Sequence, residues 1–242
     1  MASPPAQPNQ SLIDGLEVLR ALAVAEAPIG SRDMARRLAM EPTRANRLLK
    51  TLASIGVARQ TPDRRYVCGP AMHVLSAAAM YGSGLLARSA QAVERLRPFK
   101  MHVAVGVLWQ NQVVYLYQSL PAGSQHDSLL APRLYPAERS GVGLPILSQK
   151  SDTEVRQLYR DAAPVGGIEP LLQSLRTTRA KGYAYLQRGD VRSADALGVG
   201  IGSPAFAGIT LAGDIPESTV PDLIEPLNLA AAEIGAKESS LS

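Results

Sequence analysis

Apolar positions along the first 55 residues recur with helical spacing. Leu12, Leu16, Leu19 and Leu22/Ala23 form one stripe, which predicts a helix from Leu12 to Ala25 with Ser11 as its cap and its apolar side laid over two shorter helices. Met34, Ala35 and Leu38 mark the first of these, opened by Ser31, whose hydroxyl can cap free N–H groups. After a break at Met40-Glu41-Pro42, the residues Ala45, Leu48, Leu49 and Leu52 fall at i, i+3, i+4 and i+7 of a third helix, which Pro42 suits as a first helical residue. Two short helices joined by a tight break make a helix-turn-helix. Ile55-Gly56 stops the third helix. Val57–Gln60 and Arg65–Cys68 then read as strands around Thr61-Pro62-Asp63-Arg64, a hairpin that would serve as a wing.

From Gly69-Pro70 a helix rich in small residues runs from Ala71 to about Met80, is interrupted at Gly82-Ser83-Gly84 and resumes over Leu85–Leu96. Two glycines inside such a pattern cost about 1 kcal/mol each, so either a pivot or close helix packing explains them. Past Pro98 the period changes. Met101–Trp109 and Gln112–Ser119 predict strands around a Gln110-Asn111 turn, and Leu120–Pro136 reads as loop. Helices are expected over Gly141–Ser148, Asp152–Ala162 (capped by Ser151/Asp152) and Glu169–Lys181. Strands are expected at Tyr183–Gln187, Ala196–Ile201 and Ala205–Leu211, with a turn at Gly202-Ser203-Pro204, and a last helix spans Thr219–Ala236. This mixture is an α+β layout, expected to divide into a tail over 1–10, a winged helix-turn-helix over 11–70, a linker helix over 71–86 and a second domain over 87–242.

Charge sharpens the first part of that scheme. The chain carries a net charge of +4, and all of it lies in residues 1–70, which hold 10 Lys/Arg against 6 Asp/Glu, while residues 71–242 hold 15 of each. Within 32–65 the balance is 9 to 3. A basic helix-turn-helix and wing joined to a neutral partner is the electrostatic footprint of a module that grips a duplex. Thr43, Asn46, Arg47 and Lys50 share a face of the third helix away from its apolar side, with Arg44 near its amino end. Guanidinium reads guanine bidentately, carboxamide reads adenine and ammonium neutralises phosphate. Thr43, Arg44, Asn46 and Arg47 are therefore expected at or near bases, with Lys50, Arg59, Arg64 and Arg65 on phosphates and Ser31 at the start of the preceding helix. Arg47 has a second reading, as a brace to an acidic neighbour.

One cysteine, Cys68, allows no internal disulfide and no multi-cysteine metal site. Its apolar context favours a packed side chain over a nucleophile. No apolar run is long enough to span a bilayer and Met1–Gln10 lacks the parts of a signal peptide, so a cytoplasmic protein without a membrane partner is expected. His73, His102 and His126 are not at metal-ligand spacing, and Gly198-Val199-Gly200-Ile201-Gly202 is not a dinucleotide fingerprint. Neither an enzyme nor a bound cofactor or metal is expected.

The fragments Arg47-Leu48-Leu49-Lys50-Thr51-Leu52 with Gly56-Val57, Tyr66-Val67-Cys68-Gly69-Pro70, Val113-Val114-Tyr115-Leu116 and Lys181-Gly182-Tyr183-Ala184 together resemble the IclR family of bacterial transcriptional regulators. The resemblance implies a winged helix-turn-helix joined to a GAF-like effector-binding domain, acting as a homodimer or tetramer on partly palindromic double-stranded operators. It also implies an effector loop at Glu138–Leu144, where Ser140 and the N–H groups of Gly141, Val142 and Gly143 would receive an anion. An ordinary helix cap is the other reading of Ser140. Arg133, Arg139 and Thr210 complete the expected effector site, and a small carboxylate or sugar acid is the expected ligand. The family's late-strand cysteine is replaced by Ala196 and its S-x-S strand by Thr210-Leu211-Ala212, which leaves cysteine or metal chemistry without support here. The alternative function is a ligand-binding protein or hydrolase whose helix-turn-helix serves only assembly.

Overall fold

The computed structural model describes residues 7–119, 134–187 and 194–236. The chain divides into two compact units, residues 1–83 and 84–242.

In the first unit, α1 (Gln10–Ala23), α2 (Ser31–Arg37) and α3 (Pro42–Ser54) precede a hairpin of β1 (Ala58–Gln60) and β2 (Tyr66–Cys68), after which comes α4 (Ala71–Ser83). Pro42 is the first residue of α3, as its fixed φ and missing N–H favour. Ala45 and Leu49 are fully buried against Val18, Met34 and Tyr66. Removing Leu49 alone from water is worth about 1.5–3 kcal/mol. The hairpin is fixed to the helices by a two-way bridge: Ile29 N–H donates to the Tyr66 carbonyl at 2.9 Å, and Tyr66 N–H donates back at 2.8 Å.

Three expectations need correction here. The cap of α1 is Asn9, whose side chain accepts the Leu12 N–H at 3.1 Å; a carboxamide two residues earlier takes the role expected of Ser11. The cap position of α2 belongs to Gly30, so Ser31 is already helical and makes no capping bond. The inward side of α1 is Val18, Ala21 and Leu22, while Leu12 and Leu16 stay exposed. Of the expected stripe only Leu22 is buried, and Val18 and Ala21, which lie outside it, complete the inward side. α4 buries none of its side chains, leaving Val74, Leu75 and Tyr81 exposed.

In the second unit, α5 (Leu85–Leu96) leads to β3 (His102–Trp109), β4 (Gln112–Ser119) and β5 (Leu134–Pro136). Then come α6 (Gly143–Ser148), α7 (Asp152–Leu158), α8 (Ile168–Lys181), β6 (Ala184–Leu186), β7 (Asp195–Ile201), β8 (Ala207–Gly213) and α9 (Val220–Gly235). The strands form one antiparallel sheet in the order β5-β4-β3-β8-β7-β6. One core joins α5 and α9 to residues such as Val105, Leu197 and Leu211; the other joins α6, α7 and α8 to Val113 and Ala184. This is the α+β, GAF-like arrangement expected from the sequence. β5 lies in a stretch expected to be loop, because three residues ending in proline carry no period. α7 stops at Leu158, four residues short of the expected end. Its start is a full capping box, with Ser151 and Glu154 exchanging side-chain and backbone bonds.

Candidate nucleic-acid interface and effector site

On α3 the polar face is well formed. Thr43, Arg47 and Lys50 are exposed at i, i+4 and i+7, and Asn46 is half-buried beside them. Among the described residues, no ion pair ties Arg47, Lys50, Arg59 or Arg64. Arg59 and Arg64 are exposed on the hairpin, one on β1 and the other in the turn, where Arg64 adopts φ +61°. The turn is held by Thr61 N–H donating to Arg65 O (2.8 Å) and Arg64 N–H donating to Thr61 O (2.9 Å). Arg65 bends back, with its Nε 3.4 Å from Asp63 and a terminal nitrogen 3.4 Å from the Pro28 carbonyl. Thr61 donates to the Asp63 carboxylate, and that bond, with the charge of Arg65 beside it, holds Asp63 below its ordinary range.

On α3, Arg44 is the exception among the candidates. Its Nε lies 2.5 Å from Asp14 Oδ2 on α1, and its side chain is only 35% exposed. Arg47 shows no such brace. The acid-braced arginine of this helix is thus Arg44, three residues before the position where the second reading of Arg47 placed it. Asp14 gave no sequence signal, because thirty residues separate it from its partner.

The loop expected to receive an effector is packed directly on the sheet. Ser140, Gly141, Val142 and Gly143 are all buried. The Ser140 hydroxyl accepts the N–H groups of Val142 (3.1 Å) and Gly143 (3.2 Å) and lies 2.9 Å from the Tyr115 hydroxyl. Leu144 N–H donates to the Ser140 carbonyl at 3.1 Å. A Cβ on Gly198 would sit 1.7 Å from the Gly141 carbonyl, and one on Gly141 would meet the Thr210 hydroxyl at 2.3 Å. Backbone-to-sheet contact is what these glycines permit. Thr210 is buried and donates to the Leu197 carbonyl at 3.0 Å. Arg139 is exposed at the end of the 3-10 turn Ala137–Arg139. Arg133 lies outside the described residues.

Next to this loop the same sheet face is lined by small side chains. Ala104 is registered with Thr210 and Gln118, and Ala196 with Ala212, which pairs in turn with His102. Ala104 and Ala212 are partly exposed. Among the described residues no group of three or more His, Cys, Asp and Glu could hold a metal ion, and no helix is long and apolar enough to cross a membrane.

Comparison with known proteins agrees with this geometry. The family model for the IclR helix-turn-helix domain matches residues 11–62, which contain most of α1, all of α2 and α3, and β1. Residues 11–62 thus match an IclR-type helix-turn-helix domain. The HTH-type transcriptional regulator BhcR of Paracoccus denitrificans is 27% identical over 192 residues, covering 72% of this chain and 66% of that regulator, just under two thirds of its length. An IclR family transcriptional regulator from Brucella abortus superimposes with TM-score 0.75 at 20% identity, over 95% of this chain and 93% of that one. An IclR transcriptional regulator from Alicyclobacillus acidocaldarius does so with TM-score 0.70 at 20% identity, over 95% and 99%. An IclR homolog from Microbacterium hydrocarbonoxydans, complexed with 4-hydroxybenzoate, has TM-score 0.65 at 19% identity, over 94% and 98%. At such identities the solved structures establish the shared fold.

Proposed function

We propose that this chain is a transcriptional regulator of the IclR type that binds double-stranded operator DNA and whose affinity for it is set by a small-molecule effector. The observation that carries the first half is the exposed Thr43–Arg47–Lys50 ridge of α3, which forms no ion pair among the described residues and is flanked by Arg59 and Arg64 of the wing. A helix of this size fits the major groove, and a basic hairpin beside it reaches phosphates. Thr43, Asn46 and Arg47 are assigned to bases; Lys50, Arg59, Arg64 and Arg65 to the backbone. Two copies would place two such helices in successive grooves, about one helical turn apart. The apolar residues left in water on α1 and α4, Leu12, Leu16, Val74, Leu75 and Tyr81, supply a surface for that self-association.

For the effector, the proposal is a small carboxylate or sugar acid bound over Ala104, Ala196 and Ala212, where small side chains leave room beside Gln118, Ser140 and Tyr115. The carboxylate would compete with the Ser140 hydroxyl for the Val142 and Gly143 N–H groups, at the start of a short helix. That a related fold is found with 4-hydroxybenzoate, itself a small carboxylate, supports this ligand class.

The test is selection of duplexes from a randomised library by the full chain, and then binding at several salt concentrations. A sequence-selective complex whose affinity falls steeply with salt is expected. Failure to enrich any sequence would remove the regulator reading. A thermal-shift screen with small carboxylates and sugar acids tests the effector class, since a ligand at 100 times its Kd stabilises by about 2.7 kcal/mol.

A further inference from the structure

The inward stripe of α1 contains an acid. Asp14 stands four residues before Val18 and seven before Ala21, both buried, so its carboxylate faces α3 from the core side of the helix. Both of its oxygens are engaged. Gln10 Nε2 donates to Oδ1 at 2.7 Å, and Oδ2 lies 2.5 Å from Arg44 Nε. The Asp14 side chain is 15% exposed and the Arg44 Nε is inaccessible, in a close charge contact with Oδ2 and not in an aligned hydrogen bond. What Arg44 leaves accessible is therefore drawn from the rest of its side chain, which is 35% exposed.

A guanidinium has five donors in a rigid fork. With Nε buried beside Asp14, the edge formed by its two terminal nitrogens is the one left for a partner, and that edge matches the paired acceptors of guanine. The carboxylate also offsets the charge of Arg44, which weakens its pull on phosphates of any sequence. We infer that Asp14 is a positioning residue that aims Arg44 at a base, making the pair a reader of sequence and not a generic anchor. This rests on the DNA-binding function proposed above.

The test compares wild type, Asp14→Asn, Asp14→Glu and Arg44→Ala as full chains, each profiled on the selected duplex and on all its single-base variants. Arg44→Ala is expected to flatten preference at one base pair per half-site, by about fivefold or more. Asp14→Asn is expected to flatten that same position and to bind unselected DNA more tightly, with a steeper salt dependence. Asp14→Glu, which keeps the charge, is expected to retain most of the preference. A wild-type profile in Asp14→Asn, or a loss spread evenly over all positions, would overturn the positioning role while leaving the regulator reading intact. Should Asp14→Asn melt too early to assay, a wild-type melting temperature and a flattened profile in Asp14→Glu would also overturn it. Failure of the wild type to select any sequence would overturn both.

Discussion

The hydroxyls of Tyr115 and Ser140 meet at 2.9 Å, joining a strand of the sheet to the loop that leads into α6. Ser140 is 1% exposed and its oxygen already serves two backbone N–H groups, so it ties strand, loop and helix start at one atom. Ser140→Ala would strand buried donors, at a cost of about 1–3 kcal/mol to the second unit. Tyr115→Phe removes one partner of a half-buried pair and should cost no more than about 0.5–1.5 kcal/mol. Denaturant unfolding of both variants checks the order. If the two were equal, the Ser140 hydroxyl would not be the hub described.

At the junction of the two units the two glycines behave differently. Gly82 lies within α4, and a Cβ there would meet nothing within 4 Å. Gly82→Ala should stabilise α4 by about 0.5–1 kcal/mol and leave any effector response as it was. Gly84 has φ +59°, and a Cβ would sit 2.8 Å from an Arg88 terminal nitrogen, so Gly84→Ala should strain the backbone by about 1 kcal/mol or more. Helicity, melting and ligand-dependent DNA binding of the two variants can be measured side by side. An altered response in Gly82→Ala with a normal one in Gly84→Ala would reverse this expectation.

Acid should loosen the region around α7 before the rest. Asp152 is held below its ordinary range by the Arg176 hydrogen bond first, then by the charges of Arg176, Arg179 and Arg156. Glu154 is held low by its backbone and side-chain bonds from Ser151. Both folded-state values are depressed, so their contribution is present above the unfolded carboxylate range and is lost as pH falls below about 4. Amide exchange within residues 151–158 should therefore accelerate in that window. Asp152→Asn should blunt the pH dependence and lower stability at neutral pH. Exchange independent of pH below 4 would contradict it.

Much of the DNA-binding unit was legible in the sequence because local rules agreed there. Pro42, the Ala45–Leu49 stripe and Gly56 each mark α3 independently, and packing had no reason to overrule them. The orientation of α1 was not legible. Leu22 is common to both possible stripes, Leu12, Leu16 and Leu19 compete with Val18 and Ala21 for the rest, and only the position of α3 decides between them. The same ambiguity hid Asp14, which reads as a solvated acid if the first stripe is inward and as a partner of Arg44 if the second is. In the second unit the loop at Ser140 was picked out only by its resemblance to the family's effector loop. Its burial was not, because it depends on Gly198 and Gly208 leaving the sheet bare beneath it, more than fifty residues along the chain.

Arg47 and Arg64 should separate base reading from backbone grip. Arg64 occupies the left-handed region at φ +61°, where alanine would add strain, so Arg64→Asn is the cleaner substitution: asparagine tolerates that conformation and carries no charge. Losing one phosphate contact should reduce the magnitude of the salt slope by about 0.9 and weaken every duplex alike. Arg47→Ala sits on an exposed helical turn with no ion pair to break among the described residues, so stability should stay within about 0.5 kcal/mol. Its effect should fall on discrimination, costing about 1–3 kcal/mol at one base pair and little on unselected DNA. Competition binding on the selected duplex and on its single-base variants, repeated at several salt concentrations, measures both. Were Arg47→Ala to weaken all sequences equally, its guanidinium would belong with Arg64 on the phosphates, and base reading on α3 would fall to Thr43, Asn46 and the Asp14-braced Arg44.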